Sequence, residues 1–196
     1  MRCLAPVTWL VDEILNIYMT MLQERDVRLR TPTRGRFSHF FPTFFMNKLT
    51  DEYRGYNFEL VWRWTKNFDF MAMDKIFVPI HINDSHWCMA IIFVQLKRIQ
   101  YYDSLGGGGR SHLETLLRYV TDVHQRTRGS SLAVSEWELW CTTATTPRQE
   151  NFSDCGVFAL AVADFTSENL PLNFSQVNVT AFRTRIGDAI LRGVLD

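Results

Sequence analysis

Residues 75–82 (KIFVPIHI) and 87–95 (WCMAIIFVQ) are two runs of branched and aromatic residues separated by Asn83-Asp84-Ser85 and His86. Such runs are typical of buried strands, and the three polar residues between them are turn formers. A third run, Arg98–Asp103 (RIQYYD), follows a tight turn at Lys97-Arg98. The three strands predict an antiparallel hairpin arrangement at the centre of the fold.

The flanking sequence reads as helical. Residues 7–24 place Leu10, Ile14, Ile17, Tyr18, Met21 and Leu22 on one stripe, the spacing of an amphipathic helix. Thr8 is a candidate cap, and Asp12 and Glu13 fall in a first turn, where the dipole favours acids. A basic loop with Arg28, Arg30, Arg34 and Arg36 follows, punctuated by Pro32 and Gly35; it reads as a solvated connector, with contact to an acidic protein surface as the alternative. Phe40–Leu49 and Phe58–Phe68 are expected to form two short aromatic-rich helices. Gly106–Gly109 breaks the chain before a helix over 111–126. Trp137–Cys141 reads as a short strand, Thr142–Asp154 as a polar loop, Cys155–Ser167 as a buried helix and Thr180–Leu195 as a closing amphipathic helix. Helices, then antiparallel strands, then helices define an α+β class, expected as one domain over 1–196.

Composition narrows the function. A chain of 196 residues with 46% hydrophobic and 14% aromatic residues can bury a dense core and is not intrinsically disordered. Twenty-one basic residues balance 21 acidic ones, so no nucleic-acid or membrane partner is expected. No apolar run reaches membrane-spanning length, and the opening residues lack a signal-peptide pattern. Cys3, Cys88, Cys141 and Cys155 are therefore read as free thiols of a reducing compartment. They lack C-x-x-C spacing, and His86-Trp87-Cys88 alone is a weak zinc signal, so neither metal nor cofactor is expected. The glycine run is not followed by Gly-Lys-Ser/Thr and reads as a turn rather than a phosphate loop.

Four residues carry candidate chemistry. Cys155 opens a helix after a polar loop, with Asp154 as a plausible N-cap; the helix dipole there favours a thiolate. Gly156 permits close approach of another segment. His86 starts the second strand, where rigid backbone meets solvent. His81 competes with it, and alternation across the intervening turn does not decide between them. Asp103 ends the third strand, so hairpin pairing makes it a cross-strand neighbour of His86, placed to hold an imidazole tautomer. Gln149, six residues before Cys155, could donate its amide to a developing oxyanion beside the Cys155 N–H.

The run Phe77-Val78-Pro79-Ile80, His86-Trp87, Tyr102-Asp103-Ser104, Gln149, Asn151 and Asp154-Cys155-Gly156 resembles the Ulp/SENP family of SUMO-specific cysteine proteases. The 17-residue step from His86 to Asp103 fits that pattern. The resemblance extends over Trp9–Glu13, Phe44–Leu49, Arg63–Lys66, Pro171–Phe174 and the final helix. It implies a papain-like fold, a mostly antiparallel central sheet flanked by helices, and cleavage after the Gly-Gly terminus of SUMO. Both precursor maturation and release of SUMO from target lysines are implied. Trp9 and Trp87 would sandwich the diglycine, since flat indoles leave room only for residues without a Cβ. Asp12 would pair with a basic residue of SUMO, and Phe44 would supply an apolar contact. SUMO and its conjugates are the implied partners, the nucleus (with the cytoplasm second) the implied location, and a monomer the expected state. Val11, Arg148, Phe152, the loop 27–36 and the glycine run depart from the family pattern at positions bearing on substrate choice. A protease for another ubiquitin-like modifier and an acyltransferase on the same Cys/His scaffold are the alternatives; the acyltransferase would need a cofactor groove where the two-Trp tunnel is expected. A non-catalytic SUMO-binding module is disfavoured by the intact set of four residues.

Overall fold

The structure, a computed structural model, describes residues 2–29, 37–51 and 55–196. Its centre is a five-stranded sheet built from β1 (Ser38–Phe40), β4 (Lys75–Ile82), β5 (His86–Phe93), β6 (Arg98–Tyr102) and β7 (Glu138–Trp140), in the order β1-β4-β5-β6-β7. The long inner ladders β4–β5 and β5–β6 are antiparallel, and the short edge ladders β1–β4 and β6–β7 are parallel. β2 (Thr50–Asp51) and β3 (Gly55–Tyr56) form a separate small ribbon. The turn between β4 and β5 holds Asn83 and Asp84 at φ of +48° and +50°, a conformation their short polar side chains tolerate.

Helices cover both faces of the sheet. On one, α1 (Asp12–Arg28), α4 (Cys155–Ser167) and α5 (Val179–Arg192) pack Leu15, Leu22, Leu160, Ala163 and Ile186 against Phe77, Trp87, Met89 and Ile91. On the other, α2 (Phe45–Leu49) and α3 (Arg110–Arg128) pack Phe45, Leu113, Leu116 and Val120 against Ile76, Val78, Cys88, Ala90 and Ile92. Each large apolar side chain so buried contributes about 1.5–3 kcal/mol relative to exposure. Nearly every residue of α4 is buried, as expected of a helix apolar around its whole circumference.

Several boundaries differ from the sequence reading, and each difference has a non-local cause. The first helix starts at Asp12, not residue 7. Residues 8–11 stay out of the helix because their carbonyls serve distant partners: Arg183 Nη2 donates to Thr8 O at 2.6 Å and Trp87 Nε1 to Leu10 O at 3.2 Å. Thr8 does not cap; its hydroxyl donates to Cys3 O and Ala5 O. Within Phe40–Leu49 only Phe45–Leu49 is helical, and the preceding Ser38–Phe40 forms an edge strand in register with Lys75–Phe77. Phe58–Phe68 contains two 3₁₀ turns, Phe58–Leu60 and Trp62–Trp64. Arg28 ends α1 and donates to the Leu195 carbonyl, whereas Arg30, Arg34 and Arg36 lie outside the described residues. The closing helix ends at Arg192 because Gly193 adopts φ +69°, the left-handed cap that glycine takes without strain.

Candidate active site

Strand pairing settles which histidine can act. In the β4–β5 ladder His81 lies opposite Trp87, and the two rings stack with centroids 3.8 Å apart. His81 therefore shares a face with Trp87, and alternation puts His86 and Cys88 on the other. In the β5–β6 ladder Ala90 opposes Tyr101. Continued two residues, that register sets Cys88 opposite Asp103, with His86 and Tyr101 on the flanking diagonals. His86 is thus a diagonal neighbour of Asp103 and not its direct cross-strand partner. The diagonal is within reach of long side chains, and His86 Nε2 donates to Asp103 Oδ1 at 2.7 Å.

Asp103 is held from behind by the chain that follows it. Leu105 N donates to Oδ1 and Gly107 N to Oδ2, each at 2.8 Å. A methyl at Gly107 would overlap Asp103 Oδ2, so the glycine run lets the backbone wrap the carboxylate. Burial by itself would raise the Asp103 pKa, but the hydrogen bonds from His86, Leu105 and Gly107 hold it below the usual carboxylate range. The His86 imidazole is pushed far up, first by its bond to Asp103 and then by interaction with the Cys155 and Cys88 thiols, against an opposing effect of burial. Asp103 thus favours the protonated ring beside Cys155.

Cys155 is the first residue of α4 and is 3% exposed. Asp154 occupies the N-cap position, but its carboxylate makes no cap bond. It instead accepts from Arg183 at 2.5 Å, Asn151 Nδ2 at 2.6 Å and Gln176 Nε2 at 2.7 Å. Arg183 in turn bonds Cys3 O and Thr8 O, so one buried ion pair joins the start of α4, the segment ahead of α1, and α5. Gly156 completes this junction. A Cβ there would meet Leu10 Cβ at 3.0 Å and Trp87 Cδ1 at 3.3 Å, so the absent side chain is what lets Leu10 and Trp87 pack close to the start of α4 beside Cys155.

Gln149 is buried, and its amide is oriented on both sides. Ser104 Oγ donates to Gln149 Oε1, and Gln149 Nε2 donates to Asn151 O, each at 2.5 Å. One N–H of that amide is left for another acceptor. Trp87 is 4% exposed whereas Trp9 is 52% exposed, so the two indoles differ sharply in solvent access. Asp12 is exposed at the start of α1. Phe44 is half-exposed and set edge-on to Trp64 at 5.3 Å. Thr43 N donates to Asn16 Oδ1 at 2.8 Å, fixing the Phe44 turn against the helix that carries Asp12.

The sequence reading gave no role to Arg183, quoted Ser104 only within the Tyr102-Asp103-Ser104 motif, and weighed Cys88 only as part of a weak zinc signal that it set aside. Ser104 was signalled by adjacency to Asp103 and Cys88 by its two-residue step from His86. Arg183 had no local signal, since its partners lie 29 or more residues away.

A buried thiol at a helix N-terminus, an imidazole next to it and a carboxylate behind that imidazole are the arrangement of the cysteine-protease class. Residues 8–195 match the model of the Ulp1 protease family, C-terminal catalytic domain, and the chain belongs to that family. It is 39% identical over 196 residues to Ubiquitin-like-specific protease 1A of Arabidopsis thaliana, covering 98% of this chain and 38% of that one. It is 35% identical to Sentrin-specific protease 2 of Homo sapiens, covering 91% of this chain and 29% of that one. The chain thus spans well under two thirds of these relatives' lengths. Among solved structures, it is similar to the C-terminal Ulp1 protease domain in complex with Smt3, the yeast ortholog of SUMO. That match has a TM-score of 0.79 at 29% identity and covers 97% of this chain and 80% of that one. The papain-like α+β fold expected from the sequence is the fold these neighbours share.

Proposed function

We propose that this domain is a SUMO-specific cysteine protease that cleaves after the Gly-Gly terminus of SUMO, in precursors and in conjugates on lysine. The observation that carries the reading is the 2.7 Å His86–Asp103 pair with Cys155 beside it at the head of α4. The Cys155 thiolate attacks the terminal glycine carbonyl. The oxyanion is received by the Cys155 N–H and the remaining Gln149 N–H. His86, held protonated by Asp103, gives its proton to the leaving lysine amine, and a thioester remains on Cys155. His86, now neutral, takes a proton from water, the hydroxide attacks the thioester, and the SUMO carboxylate departs as the thiol is restored.

The diglycine is placed between Trp9 and Trp87. Leu10 and Trp87 pack close to Gly156 next to Cys155, and in this reading a Cβ on the substrate would contact the indoles. Asp12, on the helix whose Asn16 holds Thr43, and Phe44, next to Thr43, are the residues that meet the body of SUMO, acid to base and ring to apolar patch. SUMO as substrate is supported by the relatives named for sentrin and by the Ulp1 domain solved with Smt3. A nuclear location belongs to the same reading and is checked by imaging the tagged full-length protein.

The test is a panel of C-terminal electrophilic probes built on SUMO, ubiquitin and the cullin-type modifier. Rapid labelling by the SUMO probe alone is expected. Labelling by ubiquitin and not by SUMO overturns the substrate assignment while leaving the thiol chemistry intact.

A further inference from the structure

Behind the catalytic pair lies a second thiol that the mechanism does not use. His86, Cys88 and Asp103 each present a ligand atom, and the three atoms lie within 4.8 Å of one another. Cys88 is 1% exposed and Asp103 is 4% exposed. The fourth corner of the same sheet face is Tyr101, whose fully buried hydroxyl lies against the Cys88 thiol. A thiol, an imidazole and a carboxylate converging on one patch of the sheet are a mixed donor set of the kind that binds a metal ion.

We propose that Cys88, His86 and Asp103 form a site for a thiophilic divalent cation of the zinc class, and that filling it shuts the protease off. The donor set is mixed sulfur, nitrogen and oxygen, which suits Zn²⁺ better than Mg²⁺ or Ca²⁺. Zinc bond lengths of about 2.0–2.3 Å in a tetrahedron place ligand atoms roughly 3.3–3.6 Å apart. The 2.7 Å His86–Asp103 contact must open by less than about 1 Å, and no pair of the three atoms, all within 4.8 Å of one another, must close by more than about 1.5 Å. Two anionic ligands, a thiolate and a carboxylate, balance the dication. Ligation as thiolate and imidazole displaces the proton of the Cys88 thiol and that of His86 Nε2 to solvent, and no electron moves.

Inhibition follows from what His86 loses. A metal on Nε2 replaces the proton that His86 shares with Asp103; Nδ1 keeps its proton, but the dication is neutralised by its two anionic ligands, so no net positive charge remains to pair with the Cys155 thiolate, and yielding the Nδ1 proton to the leaving amine would leave a metal-bound imidazolate. This route is distinct from metal capture by Cys155 itself, because it needs Cys88.

The experiment has two arms. In the first, metal-stripped wild type, Cys88→Ser and Cys88→Ala are titrated with ZnCl₂ alone while hydrolysis of a SUMO C-terminal substrate is followed, each variant being compared with its own metal-free rate. Loss of an outer-shell partner already costs about 10–100-fold in metal affinity, so both variants are expected to need at least about 10-fold more Zn²⁺ for half-inhibition. The second arm needs no substrate. Cys155→Ser and the double variant Cys155→Ser/Cys88→Ala are titrated with CoCl₂ and read by absorption. A thiolate-to-cobalt charge-transfer band is expected in the first and lost in the second. Equal zinc sensitivity of wild type and both Cys88 variants, or no cobalt–thiolate band in Cys155→Ser, would overturn the proposal.

Discussion

Asp103→Asn separates the charge of the catalytic carboxylate from its shape. Both Asp103 oxygens accept backbone N–H groups, Leu105 N on Oδ1 and Gly107 N on Oδ2, and Oδ1 also accepts from His86. An asparagine has only one oxygen. Keeping it toward His86 and Leu105 turns the amide nitrogen against the Gly107 N–H, two donors face to face. Losing that charge-assisted bond costs about 1.5–3 kcal/mol. The larger functional effect is on His86. An opposite charge within hydrogen-bonding distance raises an imidazole pKa by about 1–3 units, and each unit is 1.36 kcal/mol. Since Asp103 raises His86, its neutralisation lowers the pH at which the imidazolium deprotonates. The alkaline limb of kcat/KM reports that loss, so it should move down by about 1–3 pH units. The assay is a pH profile of kcat/KM on a SUMO C-terminal substrate, with unfolding measured in parallel. An alkaline limb that stays in place while the variant remains folded would refute the argument that Asp103 holds the imidazolium.

Three further outcomes follow from the same geometry. Gly156→Ala places a methyl 3.0 Å from Leu10 Cβ and 3.3 Å from Trp87; overpacking of this kind costs about 1–3 kcal/mol, visible in urea unfolding and accompanied by a fall in kcat/KM. Arg183→Met removes one partner of the buried Arg183–Asp154 pair at 2.5 Å and should cost about 3–5 kcal/mol, read as a lower Tm. Gln149→Ala deletes the side-chain oxyanion donor, and kcat should fall by about 10²–10³ with little change in KM.

The members of the candidate site were legible as candidates because they sit at element ends that local sequence marks well. Cys155 follows a polar loop and heads an all-apolar run, and His86 and Asp103 bracket a hairpin whose strands are unmistakably buried. The choice of His86 over His81 was not legible, since it depends on the β4–β5 register that pairs His81 with Trp87. The true start of α1 was hidden for a related reason. Thr8 and Leu10 look helical until Arg183 and Trp87, far along the chain, claim their carbonyls. Ser38–Phe40 became an edge strand only through parallel pairing with β4, which a three-residue segment cannot announce. Asp154 fits a cap by type and position, yet a buried guanidinium outcompetes a backbone N–H for its carboxylate. Cys88 reads as a strand residue in sequence, and only the folded sheet sets it beside Asp103.

The central claim is that Cys155 is the nucleophile, and mapping the covalent adduct tests it most directly. Wild type and Cys155→Ser are each treated with a C-terminal electrophilic SUMO probe, and the modified peptide is identified by tandem mass spectrometry. The adduct should fall on Cys155 in the wild type and be absent from Cys155→Ser, which should still bind SUMO but not turn it over. An adduct on Cys88 or Cys141, or undiminished turnover by Cys155→Ser, would contradict the account.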